Sequence, residues 1–205
     1  MKIEDIVNLT EGTLTNTPKV QAIQGASVYY SKIEHGDLFF SSSQEEIDQA
    51  IENGAYAIVY ADDSIVKKDD EIAWIKVSDL QLAAFKLIRY VTIKKEAKFF
   101  LLSEHELTFL KMILVHKSNI KFITDDWKKA FEQILNSDCS LFVGADKALL
   151  ELIKPDVSKL KKEVDGYAVS DTLFRTTFKV GGFVYQEKEL IPFHLEYLLR
   201  VIDFC

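Results

Sequence analysis

Apolar positions along this chain follow two rhythms that replace one another almost throughout. Short runs such as Ala57–Tyr60 and Trp74–Val77 are continuously apolar and predict buried strands, as does Leu38–Phe40. Between them the spacing changes to three and four. Ile47, Ala50 and Ile51 predict a helix over Gln44–Asn53 stopped by Gly54, and Leu80, Ala83, Ala84, Leu87, Ile88 and Val91 predict another over Asp79–Tyr90. Ser43-x-x-Glu46 and Ser78-x-x-Gln81 have the form of capping boxes, with Val77 and Leu82 at the positions of a hydrophobic staple.

A charged stretch, Thr92–Glu96, interrupts this order and sets the expected boundary between two domains, 1–93 and 96–205. Three strand–helix units follow: Lys98–Leu102 with Glu104–His116, Ile120–Thr124 with Asp126–Asn136, and Ser140–Val143 with Asp146–Ile153. Trp127, Ala130, Phe131, Ile134 and Leu135 give the second helix one apolar stripe. Residues 167–191 change character. Phe174, Thr176, Phe178 and Val180 alternate before Gly181-Gly182 and Phe183–Tyr185, which predicts a β-hairpin. A final helix is expected over Phe193–Phe204. Alternating strands and helices define the α/β class, with parallel sheets as the expected arrangement.

Composition narrows the function. At 205 residues, with 48% hydrophobic and 28% charged, the chain can form one or two globular cores. Its net charge of −7 argues against nucleic acid, and clusters such as Lys67-Lys68, Lys94-Lys95 and Lys161-Lys162 sit beside acidic residues as solvated loops. No apolar run reaches the roughly 20 residues of a membrane span, and MKIEDIVNLT lacks the pattern of a signal peptide. Cys139 and Cys205 have no CxxC spacing and read as reduced thiols, so a cytoplasmic location is expected.

Three motifs within Met1–Tyr90 carry a family resemblance. Ser31-Lys32, Gly36-Asp37-Leu38-Phe39-Phe40 and Ala50-Ile51-Glu52-Asn53-Gly54-Ala55 together resemble the N-terminal domain of the Mur ligases. That family joins amino acids to UDP-linked muramic acid in bacterial peptidoglycan synthesis, and its first domain holds the UDP end of the substrate. The resemblance implies a Mur-ligase N-terminal-like domain followed by a small parallel, Rossmann-like α/β domain with a C-terminal hairpin and helix. It also implies Tyr30, Ser31 and Lys32 as the substrate-binding residues. They stand where the family has Asp-Ser-Arg; the hydroxyl and one positive charge are kept, without the bidentate fork of arginine. A glycine-containing loop leading to Asp-Gly-His in the family is absent, because Ser41-Ser42-Ser43 runs directly into the next helix.

The second domain departs further. In the family a strand leads into a Gly-x-Gly-Lys-Thr-type loop, whose amides and lysine hold the phosphates of ATP. The corresponding stretch reads Phe99-Phe100-Leu101-Leu102-Ser103-Glu104-His105-Glu106-Leu107-Thr108, with no glycine and a glutamate near the lysine position. Ser103-x-x-Glu106 forms a capping box instead, with Leu102 and Leu107 at the staple positions. Residues 96–205 are also fewer than an ATPase domain and an amino-acid domain need together. A degenerate central domain is therefore expected.

No other constellation carries chemistry. His35, His105, His116 and His194 lack ligand spacing, Ser103 and His105 point apart on a helix start, and Asp62-Asp63, Asp69-Asp70 and Asp125-Asp126 suit loops and helix starts. Cys139 reads as a buried small residue. The expectation is a non-catalytic, cytoplasmic, Mur-ligase-like protein with no cofactor, no metal and no nucleic-acid partner. It would bind a protein partner in cell-wall synthesis or a UDP-muramic acid derivative. The alternative is an ATP-independent enzyme acting on a UDP-sugar in a cleft between the domains.

Overall fold

The computed structural model of the chain describes residues 1–114 and 119–205. It is a mixed α/β protein that divides into two compact units, Met1–Ala97 with Asp126–Asp138, and Lys98–Asp125 with Cys139–Cys205.

The first unit begins with α1 (Ile3–Thr10), β1 (Thr13–Leu14), β2 (Ala26–Ser27) and β3 (Leu38–Phe40). It continues with α2 (Gln44–Glu52), β4 (Ala57–Tyr60), β5 (Ala73–Lys76) and α3 (Leu80–Lys94). The five strands form one sheet in the order β1-β5-β4-β3-β2, parallel except for β1, which runs antiparallel to β5. A parallel sheet covered on both faces needs apolar side chains pointing both ways, and every residue of β3 and β4 is buried. One face packs Phe39, Ile58, Tyr60 and Trp74 against Ile47 and Ala50 of α2.

Gly36 and Gly54, at φ 97° and 100°, turn the chain where L side chains are strained. The Gly36 amide donates to the Gly54 carbonyl at 2.9 Å, so the two turns lock together ahead of β3 and β4. These are the glycines of the motifs read from the sequence.

The chain continues with β6 (Lys98–Leu101), α4 (Glu104–Ile113), β7 (Ile120–Phe122), α5 (Trp127–Leu135), β8 (Leu141–Gly144), α6 (Lys147–Ile153) and β9 (Ser158–Lys159), of which all but α5 belong to the second unit. Its strands form a parallel sheet in the order β7-β8-β6-β9. The helix α5 is the exception in this run: it clusters with the first unit, although the strands on either side of it belong to the second. Phe131 of α5 meets Phe40 edge-on at 5.5 Å, and the Lys95 ammonium donates to the carbonyls of Ile134, Leu135 and Ser137 at 2.7–3.1 Å. A cation on the last carbonyls of a helix satisfies orphan acceptors and opposes the negative end of its dipole.

The C-terminal region is a three-stranded antiparallel sheet, β10 (Gly166–Asp171), β11 (Thr176–Val180) and β12 (Phe183–Lys188), followed by α7 (Leu195–Phe204). Phe178 of β11 packs with Leu190, Leu195 and Leu199. The expected hairpin is β11–β12. The strand β10 was not foreseen, because all but its first residue are exposed and its alternation carries no burial signal. Phe174 lies in the turn before β11 rather than in it.

Several local expectations are corrected. Ser43 stands at the N-cap of α2 without a side-chain cap, because Glu46 Oε2 instead accepts from Ser41 Oγ at 2.5 Å. At α3 the cap is Asp79, whose carboxylate accepts from the Leu82 amide at 2.9 Å, and Leu82 is exposed; Ser78 therefore makes no box and the staple is not formed. The helix α3 runs on to Lys94, through the charged stretch taken as a break, because Thr92 is buried and its hydroxyl donates back to the Arg89 carbonyl. The helix expected to reach His116 is described to Ile113, and His116 lies outside the described residues.

Asp79→Ala should lower stability by about 0.5–2 kcal/mol, while Ser78→Ala should stay within about 0.5 kcal/mol of the parent. Urea midpoints of the two variants check this; equal shifts would return the cap to Ser78.

Candidate functional site

The junction of β6 and α4 is closed by its own side chains. Ser103 takes the extended conformation of an N-cap (φ −70°, ψ 162°), and its hydroxyl accepts from the Glu106 amide at 3.3 Å. In return Glu106 Oε2 accepts from the Ser103 amide at 2.7 Å and from the Ser103 hydroxyl at 2.8 Å. Glu106 is 6% exposed, and its second oxygen faces Arg200 Nη1 of α7 at 3.4 Å. Leu102 and Leu107, flanking the box, are both buried. Two of the amides that could meet an external anion are thus occupied from within.

Tyr30, Ser31 and Lys32 form one turn of 3-10 helix ahead of β3. Their side chains do not converge. Tyr30 is 39% exposed and offers its carbonyl to Asn53 Nδ2 at 2.9 Å, and Ser31 is exposed. Lys32 alone lines a pocket of about 540 Å³ beside the edge strand β2, with Gln24, His35, Asp37 and Asn136. Its ammonium lies 3.6 Å from Glu132 Oε2 and 5.3 Å from the centroid of the Tyr29 ring.

Glu132 is the residue that sequence reasoning missed. It lies on α5, inside an apolar stripe, and is 4% exposed. Oε1 accepts from the Ser27 hydroxyl at 2.6 Å and the Val28 amide at 2.9 Å, while Oε2 accepts from Asn136 Nδ2 at 2.9 Å. A charge taken out of water at this depth is tolerable only with such a set of donors. Burial, then the carboxylates of Asp126 and Glu132, push the nearby Tyr29 phenol above its ordinary pKa. The one signal for Glu132 in the sequence is its place, an acid beside Phe131 on the buried side of an otherwise amphipathic helix.

The remaining candidates are structural. Asp126 caps α5 by accepting from the Lys128 and Lys129 amides, and Asp62 and Asp69 accept from amides two residues ahead in tight turns. The His105 and His194 rings lie 4.7 Å apart beside Tyr197, and His35 Nε2 shares a 2.9 Å hydrogen bond with the Tyr56 hydroxyl. Among the described residues, no cluster of three or more His, Cys, Asp or Glu side chains is placed to hold a metal. Cys139 is half-buried rather than buried, Cys205 is exposed, and neither forms a disulfide among the described residues. Among the described residues no helix is long and apolar enough to cross a membrane.

No family model and no curated protein matches the sequence. The fold does match solved structures, Mur ligases among them. A UDP-N-acetylmuramoylalanyl-D-glutamyl-2,6-diaminopimelate–D-alanyl-D-alanyl ligase from Acinetobacter baumannii aligns at TM-score 0.65 and 14% identity, over 99% of this chain and 64% of that one. A crystal structure of MurF from the same organism aligns at 0.63 and 13%, over 99% and 64%. MurF ligase from Thermotoga maritima, in complex with ADP, aligns at 0.59 and 13%, over 88% and 62%. The protein therefore has a Mur-ligase-like fold. At these identities the likeness is one of fold, and the chain spans less than two thirds of the length of the ligases it matches.

Glu132→Ala should destabilise the protein by about 1–3 kcal/mol, because the Ser27 hydroxyl and Val28 amide lose a buried acceptor. Lys32→Ala removes only a half-exposed partner and should cost no more than about 1 kcal/mol. Chemical denaturation of both variants tests this ordering; the reverse order would mean that the pair, not the buried acceptor, stabilises the fold.

Proposed function

We propose that this protein is a Mur-ligase-like binding protein that carries out no ATP-dependent ligation and binds a peptidoglycan precursor or a protein partner in cell-wall synthesis. The observation that carries the reading is the Glu106 carboxylate at the start of α4. It occupies the Ser103 amide and hydroxyl and faces Arg200. A polyphosphate approaching this helix start finds the Ser103 and Glu106 amides and the Arg200 guanidinium already engaged within the chain. The acidic first turn, Glu104 and Glu106, also neutralises the positive end of the helix dipole. One similar structure, the Thermotoga ligase, is in complex with ADP; this chain has neither the glycines nor the lysine of the nucleotide loop.

The first unit supports a second reading, retention of a UDP-sugar. Lys32 lines a polar pocket of about 540 Å³, within the size range of small-molecule sites. Glu132 already neutralises that lysine, which sets any affinity for a diphosphate low.

The chain should show no saturable binding of a fluorescent ATP analogue in the presence of magnesium. Micromolar binding displaced by ATP would overturn the ligation-free reading.

Calorimetry with UDP and UDP-muramic acid at low salt tests the second reading. Binding through Lys32 should weaken with ionic strength and fall on Lys32→Ala while the variant stays folded. No heat at millimolar ligand would remove the nucleotide-sugar and leave a protein partner.

A further inference from the structure

The antiparallel sheet β10-β11-β12 is packed on one face, where Phe178 of β11 meets Leu195 and Leu199 of α7. Strand residues alternate between faces, so Lys179 points the other way, and the register sets Tyr167 of β10 and Val184 of β12 on either side of it. The apolar character runs on into the turn between β10 and β11. There the Thr172 amide donates to the Arg175 carbonyl at 2.8 Å, which leaves Leu173 and Phe174 at the two central positions. Such positions ordinarily take glycine, asparagine, aspartate or proline. Tyr167, Val184, Leu173 and Phe174 are each between 53% and 69% exposed.

Among the described residues, nine of the seventeen large apolar side chains left exposed lie within residues 167–193. Single exposed apolar residues need no explanation, but a concentration of them marks a contact surface. At about 200 Å² for a whole aromatic side chain, Tyr167, Val169, Leu173, Phe174 and Val184 leave roughly 500 Å² in water. One side of a standard interface takes about 800 Å², a little over half of it apolar, so the area is what a stable dimer needs. Charge agrees. Residues 166–193 carry Arg175, Lys179 and Lys188 against Asp171, Glu187 and Glu189, and are neutral in a chain of net charge −7. Two copies meeting here escape the repulsion of their acidic surfaces, and each offers both signs to the other.

We infer that this sheet is a self-association surface, on which a second copy of the chain packs about a two-fold axis against Tyr167, Val184 and the Leu173-Phe174 turn. A two-fold contact uses the same patch on both copies and closes at a dimer. The edges of the sheet favour closure. Val169 is an extra residue in β10 against β11, and β12 takes three steps from Tyr185 to Lys188 where β11 takes two. Bulges of this kind blunt an edge against open-ended strand addition, which leaves the contact to side chains. The contact uses no residue of the α4 helix start or of the Lys32 pocket, so it is independent of nucleotide and precursor binding.

Sedimentation equilibrium of the full chain over a concentration series tests this. A reversible dimer is expected, unchanged or strengthened as salt rises because the contact is apolar and neutral. Leu173→Ser/Phe174→Ser and Tyr167→Ser/Val184→Ser should each weaken it at least about tenfold. Ile93→Ser/Met112→Ser, which removes two exposed apolar side chains elsewhere, should leave it unchanged. In the unaltered chain, raising the concentration should slow amide exchange within residues 166–188. A monomer at every concentration overturns the inference and leaves the sheet to a partner of another kind. A dimer that dissociates in salt, withstands either sheet variant, or gains exchange protection only outside the sheet overturns it as well.

Discussion

The carboxylate of Glu132 is buried, and every donor it uses is brought to it by the fold. Its four partners come from three places: the Ser27 hydroxyl and Val28 amide at the edge strand, Asn136 at the end of α5, and Lys32 on the turn after β2. Burying a charge is unfavourable unless such donors are in place, and each donor would in turn be an orphan without it. The sheet edge and α5 therefore fix one another. Asp126 at one end of the helix and Lys95 at the other complete the arrangement by satisfying its free amides and carbonyls. This is why a helix lying in sequence between two strands of the second sheet clusters with the first unit.

The same rule, that buried polar groups must find partners, shapes the start of α4. A helix N-terminus either receives an anion from outside or makes one from its own residues. Here Glu106 takes that role, held by Ser103 and Arg200. An internal anion of this kind competes with any external one for the same donors.

Much of the fold was legible because the signals are local. The strands Leu38–Phe40 and Ala57–Tyr60 are continuous apolar runs that a doubly covered parallel sheet requires, and they form as read. Ser103-x-x-Glu106 specifies its cap within four residues, and both reciprocal bonds are present. The other two boxes had the same lettering and failed for local reasons: Ser41 lay close enough to take Glu46, and Asp79 offered a charged acceptor one residue beyond Ser78. The family likeness read from Met1–Tyr90 pointed to the Mur-ligase fold that the solved structures share with the whole chain.

What the chain determined alone was thus its alternation of elements, its helix cap at Ser103 and a glycine-free junction of β6 and α4, all set by residues within a few positions of one another. Tertiary structure decided the rest. Glu132 meets Ser27 across 105 positions, Arg200 meets Glu106 across 94, and Lys95 reaches the end of α5 across about 40. No periodicity links such pairs. Whether a lysine or a glutamate is a surface charge, a cap or a buried partner depends on which donors the folded chain brings to it, and for Lys32 that partner was an acid on a helix a hundred residues away.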